Sequence, residues 1–258
     1  MKNLHASNPM DFDLKMHAAP TQPGSQGPRP LSDGAVDVWI GDLTKAQTMG
    51  PWAERLAPEE RERAGRFRFE EDRQRYVYGR GLLRELTASY LTLHPESLQF
   101  HYTESGKPEL PAEPRQRQLG FNLSHSGERL LLAFAWDREV GVDVELLRSD
   151  LEVEEIAKRY FSSDEQRALL SLSATEQIPA FFRCWTRKEA YVKAVGGGLS
   201  LPLSQFDVAL LPDAPAALLA TRPDSQEAAR WSLRNLDLGP DYAAAVAVSQ
   251  PSGTTTLR

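Results

Sequence analysis

An α+β architecture of two similar lobes is what the sequence predicts, and three features lead to it. Strand-like segments with alternating apolar residues, among them Val36-Asp37-Val38 and Val140-Gly141-Val142-Asp143-Val144, are interleaved with stretches of helical period. The two halves share a rhythm. Arg66-Phe67 running to Arg75 before a long helix (GRFRFEEDRQR…GRGLLREL) is echoed by Lys158 running to Arg167 before another (KRYFSSDEQRA…TRKEAYVKA). Finally, 258 residues with 41% apolar content are enough for two lobes with a real core. The expected division is a flexible Pro/Gly-rich tail over 1–34, an N-terminal lobe over 35–138 and a C-terminal lobe over 139–258.

The tail is read from Pro20, Pro23, Pro28 and Pro30 mixed with Gly24, Ser25, Gln26 and Gly27, where nothing repeats at helix or strand period. For 1–18 a vector-derived extension is the alternative. Val36, Val38 and Ile40 then predict a strand. The segment 57–66 (APEERERAGR) predicts a helix with Pro58 in its first turn. Tyr76, Leu83, Leu86 and Tyr90 predict a longer helix over 70–93, against the grain of Gly79 and Gly81. Leu98, Phe100 and Tyr102 alternate, the turn Glu104-Ser105-Gly106-Lys107-Pro108 breaks the chain, and strands follow over 120–123, 130–136 and 140–147. Helices are expected over 152–161, 164–172 and 175–195, and late strands over 206–211, 229–236 and 242–249.

Composition removes several classes of function. Thirty Lys plus Arg against thirty-six Asp plus Glu give a net charge of −6, a poor basis for coating nucleic acid, although a local basic pocket is compatible with it. The single cysteine, Cys184, excludes an internal disulfide and a Cys-rich zinc site. The longest apolar runs, 130–136 and 242–248, are too short to cross a bilayer, and a secretion signal is not expected, since no positively charged start is followed by an apolar stretch. A cytoplasmic protein with no membrane partner is expected.

Four groups of residues suggest chemistry. In a strand over 140–146, Val140, Val142, Val144 and Leu146 share one face while Gly141, Asp143 and Glu145 share the other. Two carboxylates side by side repel unless a cation or a raised pKa relieves them, and such hard oxygen ligands suit Mg²⁺. A solvent-facing polar edge is the alternative. On the last long helix, Trp185, Glu189 and Lys193 recur every four residues and line one face before Gly196-Gly197-Gly198. An ordinary surface ion pair beside a core tryptophan has the same spacing. In Phe121-Asn122-Leu123-Ser124-His125-Ser126-Gly127, hydroxyl, imidazole and backbone donors can meet an anion, or His125 is simply a turn residue. A Ser–His nucleophile pair fails on geometry, because neighbours on a strand point apart. Arg63, Arg66, Arg73, Arg75, Arg80, Arg84 and Lys107 are mostly helix-face charges, of which two or three gathered in a pocket would bind phosphate.

FNLSHSG, GVDVE and WTRKEAYVKAVGGGL, in that order, resemble the 4′-phosphopantetheinyl transferases and, more narrowly, their two-lobed (Sfp-type) branch. RFRFEEDRQRYVYGRGLLR and ESGKPEL extend the resemblance over roughly residue 54 to the C-terminus. It implies a fold of two pseudo-symmetric lobes with the active site between them. The implied activity is transfer of phosphopantetheine from coenzyme A to a serine of an acyl or peptidyl carrier protein, releasing 3′,5′-ADP. By position, Asp143, Glu145 and Glu189 would hold Mg²⁺, Glu189 would act as general base and Lys193 would assist the leaving group. Ser124, His125, Lys107, Arg63 and Arg80 would contact coenzyme A. Glu60 stands where a relative has a cation, and Tyr76 replaces a small hydroxyl residue. Carrier contact is expected along 151–172, with Ile156 and Phe161 as candidates or else as core. A monomer suffices, since both lobes lie in one chain. The rival readings are a metal-dependent nuclease or phosphohydrolase, and a non-catalytic module that binds coenzyme A or a carrier.

Overall fold

The computed structural model describes residues 12–24, 30–44, 50–103, 106–111 and 117–251. Two sheets pack face to face, and each is backed by one long helix. The first sheet has the order β1-β2-β6-β5, formed by Asp13–Ala18 (β1), Ala35–Asp42 (β2), Leu119–Ser126 (β5) and Arg129–Trp136 (β6). The second has the order β10-β11-β7, formed by Val140–Leu146 (β7), Trp231–Asn235 (β10) and Tyr242–Ser249 (β11). Val36 and Val38 of β2 and Leu131, Ala133 and Ala135 of β6 meet Val140, Val142 and Val144 of β7 and Val246 and Val248 of β11 in one buried layer. Period-2 alternation puts the remaining residues of those strands on the outer faces. There Trp39, Phe121, Leu132 and Phe134 take up helix α3 (Glu70–Leu91), and Ala245, Ala247 and Leu233 take up helix α6 (Ala174–Val195).

The lobes repeat one another in detail. With β1 set aside, the first strand of each pairs with the last and the last with the one before it, β2-β6-β5 and β7-β11-β10. Both long helices have 22 residues. Each lobe also has a short helix whose third residue is a buried glutamate: Glu60 in α2 (Pro58–Gly65) and Glu165 in α5 (Ser163–Leu170), which follows α4 (Val153–Tyr160). Each glutamate accepts from its own helix's N-cap amide, Ala57 at 3.0 Å and Ser162 at 2.9 Å. Each also grips a buried cation at the same depth in the long helix: Glu60 with Arg84 at 2.6 Å and Glu165 with Lys188 at 2.8 Å. Those cations in turn donate to carbonyls flanking the next turn, Arg84 to Pro95 and Leu98, Lys188 to Leu203 and Phe206. A charge buried this deeply persists because a carboxylate and two carbonyls meet it; removing one partner of such a pair typically costs about 3–5 kcal/mol.

Several expectations need correction. Residues 1–11 and 25–29 of the expected tail lie outside the described residues, as do 104–105 of the expected turn. But β1 is a strand, paired in parallel with β2 from Asp13↔Ala35 to Ala18↔Ile40. Phe12 is buried, His17 stacks on Trp39 with centroids 4.6 Å apart, and its Nε2 lies 3.2 Å from Asp37. An edge strand draws its stability from a distant partner, which local composition does not display. The strand expected from Leu98 is reduced to His101–Tyr102 (β3), paired with Pro108–Glu109 (β4), because the Leu98 carbonyl is taken by Arg84. The strand expected over 206–211 stops at Val208 (β8, Phe206–Val208) and pairs with an unforeseen strand, Leu218–Thr221 (β9). A short helix, Gly50–Ala53 (α1), also went unforeseen, and it explains Gly81 inside α3: a Cβ there would stand 2.8 Å from the Trp52 carbonyl oxygen. No helix among the described residues is long and apolar enough to cross a membrane.

Candidate active site

Gly141 sets the site. An added Cβ at this position would lie 2.1 Å from the Ala190 carbonyl oxygen and 2.4 Å from the Ala194 nitrogen, so only glycine lets α6 lie this close on β7. That contact brings the helix face bearing Glu189 and Lys193 over the strand face bearing Asp143 and Glu145. The Lys193 ammonium lies 2.5 Å from Asp143 Oδ1 and donates to Ser124 Oγ at 2.9 Å. Asp143 is 3% exposed, and its second oxygen, Oδ2, is buried with no hydrogen-bond partner. Glu145 Oε2 accepts from the Ser126 hydroxyl at 2.8 Å.

The electrostatics are those of crowded acids. Burial pushes the Asp143 carboxyl up, opposed by Lys193, Ser124 and the Val144 amide. Glu145 is raised by burial and by Asp143, against the Ser126 hydroxyl and Lys193. Glu189 is raised by burial first, then by Asp143 and Glu145, with Lys193 pulling the other way. A divalent cation would relieve all three, and the orphaned Asp143 oxygen is the kind of hard ligand it requires. As they stand, no three His, Cys, Asp or Glu side chains among the described residues form a closed metal-ligand group. Lys193 stands at Asp143 in the role of the cation.

Beside these acids a cleft of about 1590 Å³ runs between the lobes. Arg63 of α2, Arg75, Tyr76 and Arg80 of α3, Lys107 before β4 and His125 of β5 line one wall. Trp185, Glu189 and Lys193 of α6, Arg159 of α4 and the Gly196-Gly197-Gly198 turn line the other. Basic groups are thus gathered locally in a chain of net charge −6. Arg63 is exposed, with its guanidinium 5.4 Å from the Tyr76 ring centroid. Lys107 donates at 3.0 Å to the carbonyl of Lys193, one of the free acceptors at the end of α6, and so ties the lobes together across the cleft. Burial and the nearby Lys193 and Arg75 charges lower the His125 pKa.

Two residues expected to touch a ligand are held by protein partners. Ser124 is buried against Asp143 and Lys193 and does not line the cleft. Arg80 reaches the cleft, but its guanidinium is held by Glu60 at 3.3 Å and by the Tyr102 hydroxyl. Glu60 itself, suspected of altering ligand recognition, is a buried helix cap and ion-pair partner. Phe161 is core, stacked on Phe181 at 5.2 Å, and Ile156 packs against the same cluster. Arg187 and Lys188 have wholly structural partners: Arg187 donates to Asn235 and the Ala209 carbonyl, and burial lowers its pKa to about 10. The sequence reading took the hydroxyls of 121–127 as anion donors and did not foresee that Asn122 and Ser126 accept from the Val142 and Leu146 amides of β7, although their two-residue spacing from Ser124 was a readable signal.

Comparison with known proteins gives a consistent result. Residues 139–247 match the family model of the 4′-phosphopantetheinyl transferase superfamily, and residues 45–137 match a model described as 4′-phosphopantetheinyl transferase, N-terminal. The chain is 41% identical over 220 residues to the 4′-phosphopantetheinyl transferase HetI of Nostoc sp., covering 85% of this chain and 89% of that protein. It is 34% identical over 196 residues to the 4′-phosphopantetheinyl transferase Sfp of Bacillus subtilis, covering 76% and 83%. With the L-aminoadipate-semialdehyde dehydrogenase-phosphopantetheinyl transferase of Rattus norvegicus it shares 30% over 212 residues, covering 77% and 69%.

Proposed function

The chain belongs to the 4′-phosphopantetheinyl transferase superfamily, in its two-lobed Sfp-type branch, and on that premise we propose how its cleft transfers phosphopantetheine from coenzyme A to a carrier-protein serine. The observation that supports the reading best is the close seating of α6 on β7, which places three acids and one lysine beside a basic cleft wide enough for a nucleotide and its arm.

In the proposed reaction the serine hydroxyl of the carrier attacks the phosphorus that bears the pantetheine arm. The bond from that phosphorus to the bridging oxygen breaks, and 3′,5′-ADP leaves. Glu189 takes the serine proton; its raised pKa brings a carboxylate closer to the pH at which a base works. Lys193 reaches from Asp143 toward the leaving phosphate and stabilises the charge that builds there. Bound by Asp143, Glu145 and Glu189, Mg²⁺ would supply charge neutralisation at the pyrophosphate oxygens. Arg63, Lys107 and His125 would form the phosphate wall, and Tyr76 and Tyr102 line the same cleft. The nucleophile belongs to the partner, so no internal nucleophile triad is required.

The enzyme is proposed to act as a monomer, since one chain builds both walls of the cleft. A cytoplasmic location fits its one free, buried thiol, Cys184. Melting curves test the ligand assignment: coenzyme A with Mg²⁺ should raise Tm and duplex DNA with Mg²⁺ should not. A rise with DNA alone would favour phosphodiester hydrolysis in the same cleft.

A further inference from the structure

We infer that Asn122, Ser124 and Ser126, the alternate polar side chains of β5, are positioning residues that bind the edge of β7 across the lobe boundary and hold its two carboxylates at the site. The inference rests on the metal assignment made above for those carboxylates, and it concerns residues for which that assignment has no role.

β5 is the edge strand of the first sheet and β7 the edge strand of the second. An edge strand presents a row of amides that no neighbour in its own sheet can accept. Along β7 these are the amides of Val142, Val144 and Leu146. Each is satisfied by a side chain from β5 and not by its backbone: Val142 donates to Asn122 Oδ1 at 3.0 Å, Val144 to Ser124 Oγ at 3.4 Å and Leu146 to Ser126 Oγ at 3.1 Å. The two-residue step is the same on both strands, so three successive polar residues on one face of β5 meet three successive amides of β7.

The same hydroxyls continue to the acids. Ser124 donates to Asp143 Oδ1 at 2.9 Å, and Ser126 donates to Glu145 Oε2 at 2.8 Å. Each serine therefore fixes a carboxylate and the backbone amide of the residue after it. Ser124 uses its full hydroxyl capacity, one proton given to Asp143 and two lone pairs taken by Val144 and Lys193. A hydroxyl in this position stabilises the ionised form of a crowded acid and fixes its rotamer, as outer partners of metal ligands do. Because the serines come from the first lobe and the acids from the second, the geometry of the acids depends on how the lobes are joined.

Ser126 is the clean test, because its hydroxyl does not touch Lys193. In the full-length chain, Ser126→Ala should speed hydrogen exchange at the Leu146 amide about tenfold or more, through loss of its acceptor. It should also weaken Mn²⁺ binding to the free protein, measured by calorimetry, by about 10–100-fold. Ser126→Thr restores the hydroxyl and should recover both. Unchanged Leu146 exchange would overturn the ladder, and so would a Thr variant that fails to recover Mn²⁺ affinity while melting like wild type. If wild type itself binds no Mn²⁺, the metal assignment falls, and Leu146 exchange alone then decides whether β5 holds the edge of β7.

Discussion

Glu189→Gln is expected to slow phosphopantetheine transfer by about 10²–10⁴-fold, the range a positioned general base contributes. Coenzyme A should still raise the melting temperature of the variant. Glutamine keeps the volume and the hydrogen-bonding reach of the side chain but has neither charge nor basicity. The basic residues proposed to receive the nucleotide, Arg63, Lys107, His125 and Lys193, all line the cleft, and none of them changes. Removing the charge also lightens the crowding on Asp143 and Glu145, so the fold should not suffer. Turnover measured against carrier concentration, with binding measured in parallel, separates the two effects. Near-normal turnover would remove Glu189 from the proton transfer.

Gly141→Ala should be damaging for a different reason. Its methyl would meet two backbone atoms of α6 at 2.1 and 2.4 Å, and a helix backbone cannot yield as a side-chain tip can. Overpacking of this kind costs about 1–3 kcal/mol and sometimes more. The helix must lift from β7 to admit the methyl, and that carries Glu189 and Lys193 away from Asp143. A displacement near 1 Å at a reacting centre can cost about 10²-fold in rate. Denaturation midpoint and turnover should therefore fall together. Gly65→Ala is the control: it has open space around an added Cβ, sits at the end of α2 and should leave both nearly unchanged.

How much of this was legible in the sequence depended on where each residue finds its partner. The strand over Val140–Leu146 and the helix bearing Trp185, Glu189 and Lys193 were readable because their periodicity is internal. Periodicity also put Gly141, Asp143 and Glu145 on one face, although it could not show that a helix covers that face. The partition of Thr186-Arg187-Lys188-Glu189 was less accessible. Four neighbouring polar residues serve two purposes, Lys188 being wholly buried against Glu165 while Glu189 faces the cleft. Helical spacing separates the faces but does not say which is the core when both bear charge. β1 escaped notice because its pairing with β2 is long-range, and the roles of Asn122 and Ser126 because their acceptors and donors belong to the other lobe. The repeated rhythm of the halves had a concrete basis that sequence could only suggest: the Glu60–Arg84 and Glu165–Lys188 pairs, built alike in each lobe.

Phosphopantetheine transfer is read out most simply as the intact mass of a purified apo carrier protein after incubation with this enzyme, coenzyme A and Mg²⁺. The carrier should gain one phosphopantetheine arm on its serine, with 3′,5′-ADP released in equal amount, and omitting Mg²⁺ should prevent the gain. A carrier whose mass stays unchanged across several apo carriers, with an enzyme that demonstrably binds coenzyme A, would contradict that transfer.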